Sequence, residues 1–233
     1  SHPFVRNWSL STVEIQTSFN NIGMYGKGFL DMCIDPSGDP CAGFETPVES
    51  DLDYLFTGLT WIGGIKGDDT LVSIAADGWF TNIRHFVPPT PSREIDHISD
   101  RAIWTVFCDT FTDPEYTGID PFDDRPHIPL NLKVVNRIHS FEQPPYNKHV
   151  AYDMIVTNIG DDDITGATVG IYIDGDAYHT ENDISGFQDD LTGSIQDEGI
   201  AYIIDNNGDP NHDDFFDSYS PRRAIAMRFL ESS

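Results

Sequence analysis

The chain has 233 residues, 39% of them hydrophobic, with 19 Gly and 15 Pro, which is apolar material for a sizeable core and turn formers for many short strands. Its 39 Asp and Glu against 13 Lys and Arg leave a formal net charge of -26. That field repels phosphate, which excludes nucleic acid and anionic membrane as direct partners and makes cations the natural complement.

Residues 11–17 alternate polar and apolar side chains as a half-buried strand does. Gly23, Gly26 and Gly28 break the next stretch into turns. Cys33 and Cys41 flank a turn-rich segment and are expected to form a disulfide in an oxidising compartment, adding roughly 2 to 3 kcal/mol by loop entropy. Cys108, inside the apolar run 104–108, reads as a buried thiol. Residues 54–65 and 70–76 are apolar runs bracketing the polar turn 66–69, which predicts a hairpin. A strand is predicted over 79–86, ended by the proline-rich stretch 88–91. A short helix is predicted over 92–103, with Ser92 as N-cap and Ile95, Ile98 and Ala102 at helical spacing.

Residues 113–129 read as a long acidic loop, and β character resumes at 132–138. Beyond Pro144 and Pro145, residues 149–158 and 167–173 read as adjacent strands of a sandwich joined through 160–166, and 199–204 and 224–230 close the chain as strands. The fold expected is all-β: an antiparallel β-sandwich of jelly-roll or immunoglobulin type, with one short helix and long acidic loops. It is expected to be a single domain over 1–233, and 86–92 and 143–146 are where it would divide.

The acid is unevenly placed, since between Ala151 and Ser220 there are 17 Asp plus Glu and no Lys or Arg. A solvated, solubilising surface is one reading of that run; bound divalent cations are the sharper one. Asp174, Asp176, Asp189, Asp190, Asp205, Asn207 and Asp209 cluster at strand ends beside glycines. Such oxygen ligands on loose turns suit calcium better than magnesium or zinc. Asp and Asn beside Gly are also simply good turn formers. The stretches 35–39 and 120–124 are weaker candidates of the same kind.

Other chemistry has less support. Two carboxylates could form a glycosidase pair, but among 39 acids nothing selects two. The eight histidines lack the spacing of a zinc helix, and no serine-hydrolase elbow, P-loop or dinucleotide glycine pattern occurs. Trp61 and Trp104 sit in apolar runs and read as buried, whereas Trp79 and Tyr178, beside turns, are the candidates for stacking on a sugar. No apolar run reaches the roughly 18 residues of a membrane-spanning helix. Ser1-His-Pro-Phe carries no charged-then-apolar leader, so a soluble, already processed chain is expected.

The stretches 54–65, 69–73 and 77–79, together with 172–174, 189–193 and 205–210, resemble large secreted proteins of environmental bacteria, over most of the chain. Many such proteins end in a sorting domain that is cleaved during delivery to the cell surface; with Ser233 as the last residue of this sequence, either a removed tail or a shorter relative is expected. The resemblance implies export and a β fold and transfers no catalytic residue. The function expected is an extracellular, calcium-stabilised structural module of a surface layer, fibre or matrix, associating with itself or with other extracellular proteins. A calcium-dependent carbohydrate-binding module is the alternative, and a glycosidase the lesser one.

Overall fold

The structure, a computed structural model, describes residues 5–28, 42–78, 83–89, 98–99, 102–120, 123–179, 187, 190–206 and 224–230. Strands β1 (Asn7–Ser11) and β2 (Gln16–Asn20) form a hairpin where one strand over 11–17 was predicted. The break is local chemistry. The Thr12 hydroxyl accepts from the amides of Glu14 and Ile15 at 3.2 and 3.1 Å, a turn that competes with an extended backbone, and Val13 is left 76% exposed.

Three short strands come next, β3 (Met24–Gly26), β4 (Phe44–Glu45) and β5 (Leu52–Asp53). After them β6 (Thr57–Lys66) and β7 (Asp69–Ile74) form the predicted hairpin, closed by Gly67 at φ 63° and Asp68 with Lys66 opposite Asp69. Positive φ in a two-residue hairpin loop is what Gly supplies without strain. Residues 83–89 run irregularly past this hairpin, and Val87 exchanges two backbone bonds of 2.8 Å with Cys108; residues 79–82 of the predicted strand lie outside the described residues.

The helix predicted over 92–103 is corrected. Its described part contains β8 (Ile98–Ser99) and the start of β9 (Ala102–Cys108). Ile103, Trp104, Thr105, Val106 and Phe107 are β-branched or aromatic, and their pairing with the next strand outweighs a weak helical spacing. The α-helix instead lies in the predicted acidic loop: α1 (Pro114–Thr117) starts at Asp113, whose carboxylate accepts from the Glu115 amide at 3.0 Å, with Pro114 in the first turn.

The remaining strands are β10 (Leu132–Ser140), β11 (Val150–Asn158), β12 (Ile164–Asp174), β13 (Tyr178–His179), β14 (Leu191–Ile195), β15 (Ile200–Ile204) and β16 (Ala224–Arg228). Among the described residues they form three antiparallel sheets. The largest runs β12-β6-β3-β2-β4-β5-β13, with β1 on β2 and β7 on β6; the others are β11-β10-β9-β8 and β14-β15-β16. Strands β11 and β12, expected as neighbours, belong to different sheets: β11 pairs with β10 and β12 with β6. The connection between them crosses from one sheet to the other.

The architecture is all-β and sandwich-like. Alternate residues of β10 are buried, the period-2 signature of a sheet with one face on a core. Val134, Leu132 and Phe107 of the four-stranded sheet join Met24, Leu59 and Ile62 of the large sheet in one apolar cluster. Ile103 and Ile138 join Trp8, Leu10, Phe19 and Tyr25 in a second. The third sheet docks through Ile225 and Ile203; a Cβ on Gly175 would lie 2.5 Å from the end of the Ile203 side chain, which would have to shift to admit it.

Trp61 and Trp104 are only half-buried, a correction to their expected burial. Trp104 faces outward beneath the Arg137 guanidinium, 4.3 Å from the ring centre, and the Cys108 thiol is likewise half-buried. The alternation of β9 sends both to the outer face.

Two polar groups tie the sheets together. The Tyr25 hydroxyl lies 3.0 Å from the Thr60 hydroxyl and accepts from the Asn136 amide at 3.2 Å, linking β3, β6 and β10 inside the core. Burial pushes that hydroxyl up to about 12, although both bonds pull the other way. Asp109, wholly buried, accepts from the Ser73 hydroxyl of β7 at 2.6 Å and from the amides of Leu130 and Leu132 at 2.8 and 2.6 Å. Tyr25→Phe leaves the Asn136 amide without its acceptor. It should lower unfolding free energy by about 1 to 3 kcal/mol, read as a shifted urea midpoint with an unchanged m-value.

Candidate functional site

Where β3, β5 and β12 end and β13 begins, Lys27 pairs with Asp53, and Asp176 lies within the field of Lys27, Asp53 and Asp174. Gly26 closes β3 at φ 81° with a Cβ position 2.7 Å from the Phe56 carbonyl, so only glycine turns the chain there and delivers Lys27. Asp53, on β5, is 3% exposed. One of its oxygens accepts from the amides of Phe44 and Tyr54, both at 2.9 Å, and the other pairs with the Lys27 ammonium. Tyr178 stands opposite Asp53 in the register of β13 and β5, and its hydroxyl accepts from Lys27 at 3.1 Å. Its ring meets Phe187 edge-on at 6.2 Å.

Asp174 is the last residue of β12, paired with Thr57. The turn after it is sealed by Gly175 against Ile203 and held by Asp190, whose carboxylate accepts from the Ala177 amide at 2.8 Å. Between these fixed points stands Asp176. Burial raises its carboxyl, Asp174 and Asp53 raise it further, and Lys27 only partly offsets them, leaving it at about 7. Burial alone raises Asp174. Lys27 moves the other way: burial pulls its ammonium down, but the charge and hydrogen bond of Asp53 outweigh that and hold it above its ordinary value.

On the same sheet Tyr172 stacks on Trp61, with ring centres 5.6 Å apart and planes at 13°. The indole N–H donates to the Ala76 carbonyl at 2.9 Å, and Gly78 lies against the Tyr172 ring. Burial raises the Tyr172 hydroxyl, and Asp174 and Asp176 raise it further, which puts the phenol within the field of those carboxylates.

Of the predicted ligands, Asp174, Asp176 and Asp190 come to this region, and Asp205 lies just beyond β15. Asp189, Asn207, Asp209, Trp79, Cys33 and Cys41 lie outside the described residues, as do 35–39. In the stretch 120–124, Asp123 pairs with Arg125 in a tight loop. Among the described residues no three of His, Cys, Asp or Glu form a group able to hold a metal ion. Lys27 and Asp53, which no sequence pattern singled out, form the centre of the site. Their one signal was the isolated lysine of Gly26-Lys27-Gly28 in a chain so poor in cations.

This arrangement can hold or release a proton near neutrality and can accept hydrogen bonds beside an aromatic face. An acid raised from its ordinary value in the folded state favours folding when protonated: that contribution is complete below about 4 and lost as pH rises through about 7. Asp176→Asn should therefore raise the melting temperature at pH 8 and leave it nearly unchanged at pH 4, measured by thermal unfolding across that range.

Comparison with protein-family models, with curated proteins and with solved structures finds no match to this chain.

Proposed function

We propose that the chain is a non-catalytic structural module of an extracellular assembly, in which its strand edges join neighbouring copies and cations, calcium foremost, relieve the repulsion between them. The observation that carries this reading is the pair of long unpaired edges. Strands β11 and β12 run nine and eleven residues, and neither contains Lys or Pro. Among the described residues no strand pairs with their free sides. Proteins that stay monomeric commonly blunt such edges with the residues missing here, because free backbone donors and acceptors template further pairing. Ile155 and Val169, 42% and 38% exposed, add apolar contact on these strands.

The charge supplies the cation dependence. With a net charge of -26, two copies repel until counter-ions screen or bridge them. Asp176, raised by burial and two neighbouring carboxylates, shows how poorly one lysine balances the cluster. Export to the cell surface accords with the resemblance to secreted proteins. A second reading, carbohydrate binding, is favoured by Trp61 and Tyr172 beside Asp174 and Asp176, since an aromatic face with carboxylate acceptors suits a sugar ring. Loss of glycan binding in Trp61→Ala would support it.

The leading proposal is tested by sedimentation of the purified protein in chelator and in millimolar calcium. Oligomers are expected with calcium and not without it, and the double variant Ile155→Lys, Val169→Lys should remain folded and monomeric. Saturating one calcium site a hundredfold should also add about 2.7 kcal/mol of stability. A monomer at every calcium and protein concentration would overturn the assembly reading.

A further inference from the structure

We propose that the stacked imidazoles of His85 and His127 form a proton-operated latch, which holds the segment 83–89 against β7 and β9 while both rings are neutral and releases it when they are protonated. The rings lie 3.9 Å apart with planes at 13°, a separation at which two imidazolium ions would repel strongly in a poorly hydrated site. His85 is locked in the neutral form by its bonds: Nδ1 accepts from the Ile74 amide at 3.3 Å, and the ring also bonds the Val72 backbone. A proton on Nδ1 removes the acceptor that the Ile74 amide needs. His127, 8% exposed, bonds the Asp109 carbonyl through Nε2 at 2.8 Å.

The surrounding groups do little to welcome added charge. Just after β9, Asp109 is the carboxylate that acts on His127, and its oxygens are already held by Ser73, Leu130 and Leu132. From β7 come Val72, Ser73 and Ile74, none of which titrates in this range. Arg84 precedes His85, and Tyr116 of α1, its hydroxyl pushed up by burial to about 12, donates to the Phe86 carbonyl at 3.3 Å. On the segment of His127, Asp123 and Arg125 pair with each other.

The geometry and the charges agree in direction. Burial first and the facing His127 second lower His85 to about 3, although its bond to the Val72 backbone pulls the other way. Burial also lowers His127, although its bond to Asp109 and the charge of Asp109 pull the other way. A base lowered in the closed state loses closure as pH falls: the latch is fully shut above the open-state value of about 6.5 and weakens down to about 3.

The segment that would open is held by few other bonds. The His85 amide donates to Ile74, the Arg84 amide to Thr117, and Val87 pairs with Cys108. Its own Phe86, wholly buried and packed edge-on against Phe107 at 5.0 Å, leaves the core with it. Opening therefore uncovers an aromatic patch of the core between β7 and β9. Such local opening, below the energy of global unfolding, is how switching segments respond.

The test is amide hydrogen exchange of the full chain between pH 7 and 4, corrected for intrinsic rates, with the Val134 amide of β10 as reference, alongside NMR titration of both imidazoles. The opening constants of Ile74, Val87 and Cys108 should rise about tenfold to a hundredfold per pH unit below 6.5, for one or two protons taken up, while Val134 stays flat, and His85 should remain neutral in the closed state at pH 5. His85→Gln, which keeps an acceptor but does not titrate, combined with His127→Phe, should abolish the rise. A wild-type protein whose opening constants at those three amides are flat, or whose His85 titrates near 6.5 without opening, overturns the latch even if the variant fails to fold.

Discussion

The buried carboxylate of Asp109 is the point on which the two main sheets depend. A charge with no exposure survives only if its oxygens are fully engaged, and here they are met by the Ser73 hydroxyl from the large sheet and by two backbone amides where the chain enters β10 of the smaller one. Its own carbonyl receives His127, and the residue before it pairs with Val87. One side chain thus sets the spacing of β7, β9, β10 and the segment 83–89. The apolar clusters then pack around a geometry that hydrogen bonds have already specified, and Tyr25 repeats the device with neutral groups between β3, β6 and β10.

The excess of acid is handled by location. The carboxylates inside the fold are given dedicated donors, as Asp109 and Asp53 are, while among the described residues Asp153, Asp161, Asp162, Asp163, Asp197 and Glu198 of the C-terminal strands and loops stay in water, where repulsion is screened. Asp176 falls between these cases. It is too enclosed to be solvated freely and lies near two other carboxylates with one lysine to share. His85 is its opposite, a base enclosed beside another base. Protonation favours the folded state at Asp176 and disfavours the closed latch at His85, so the two contributions to global stability run against each other over the mildly acidic range. A single melting curve averages them; only local readouts separate the two.

Much of the fold was legible in the residues. The β6–β7 hairpin, β10, β11, β15 and β16 lie where alternation and turn chemistry put them, because those signals are local. The failures are equally specific. Thr12 broke a strand through its own hydroxyl, a competition that binary patterning does not register. The stretch 98–108 carried both a weak helical spacing and strong strand formers, and the partner strand β10 decided between them. Strands β11 and β12 looked like a pair because they are consecutive, yet each found a better partner elsewhere.

The sequence by itself determined an all-β chain with a strongly acidic net charge, since composition, alternation and charge act locally or in sum. Only the tertiary structure decided that Lys27 meets Asp53 and Tyr178, that Asp53 comes near Asp176, and that His85 lies on His127. Those partners stand tens of residues apart or more along the chain, and what brings them together is sheet register and the crossing of strands between sheets. That information resides in which strands pair, and no single stretch of residues carries it.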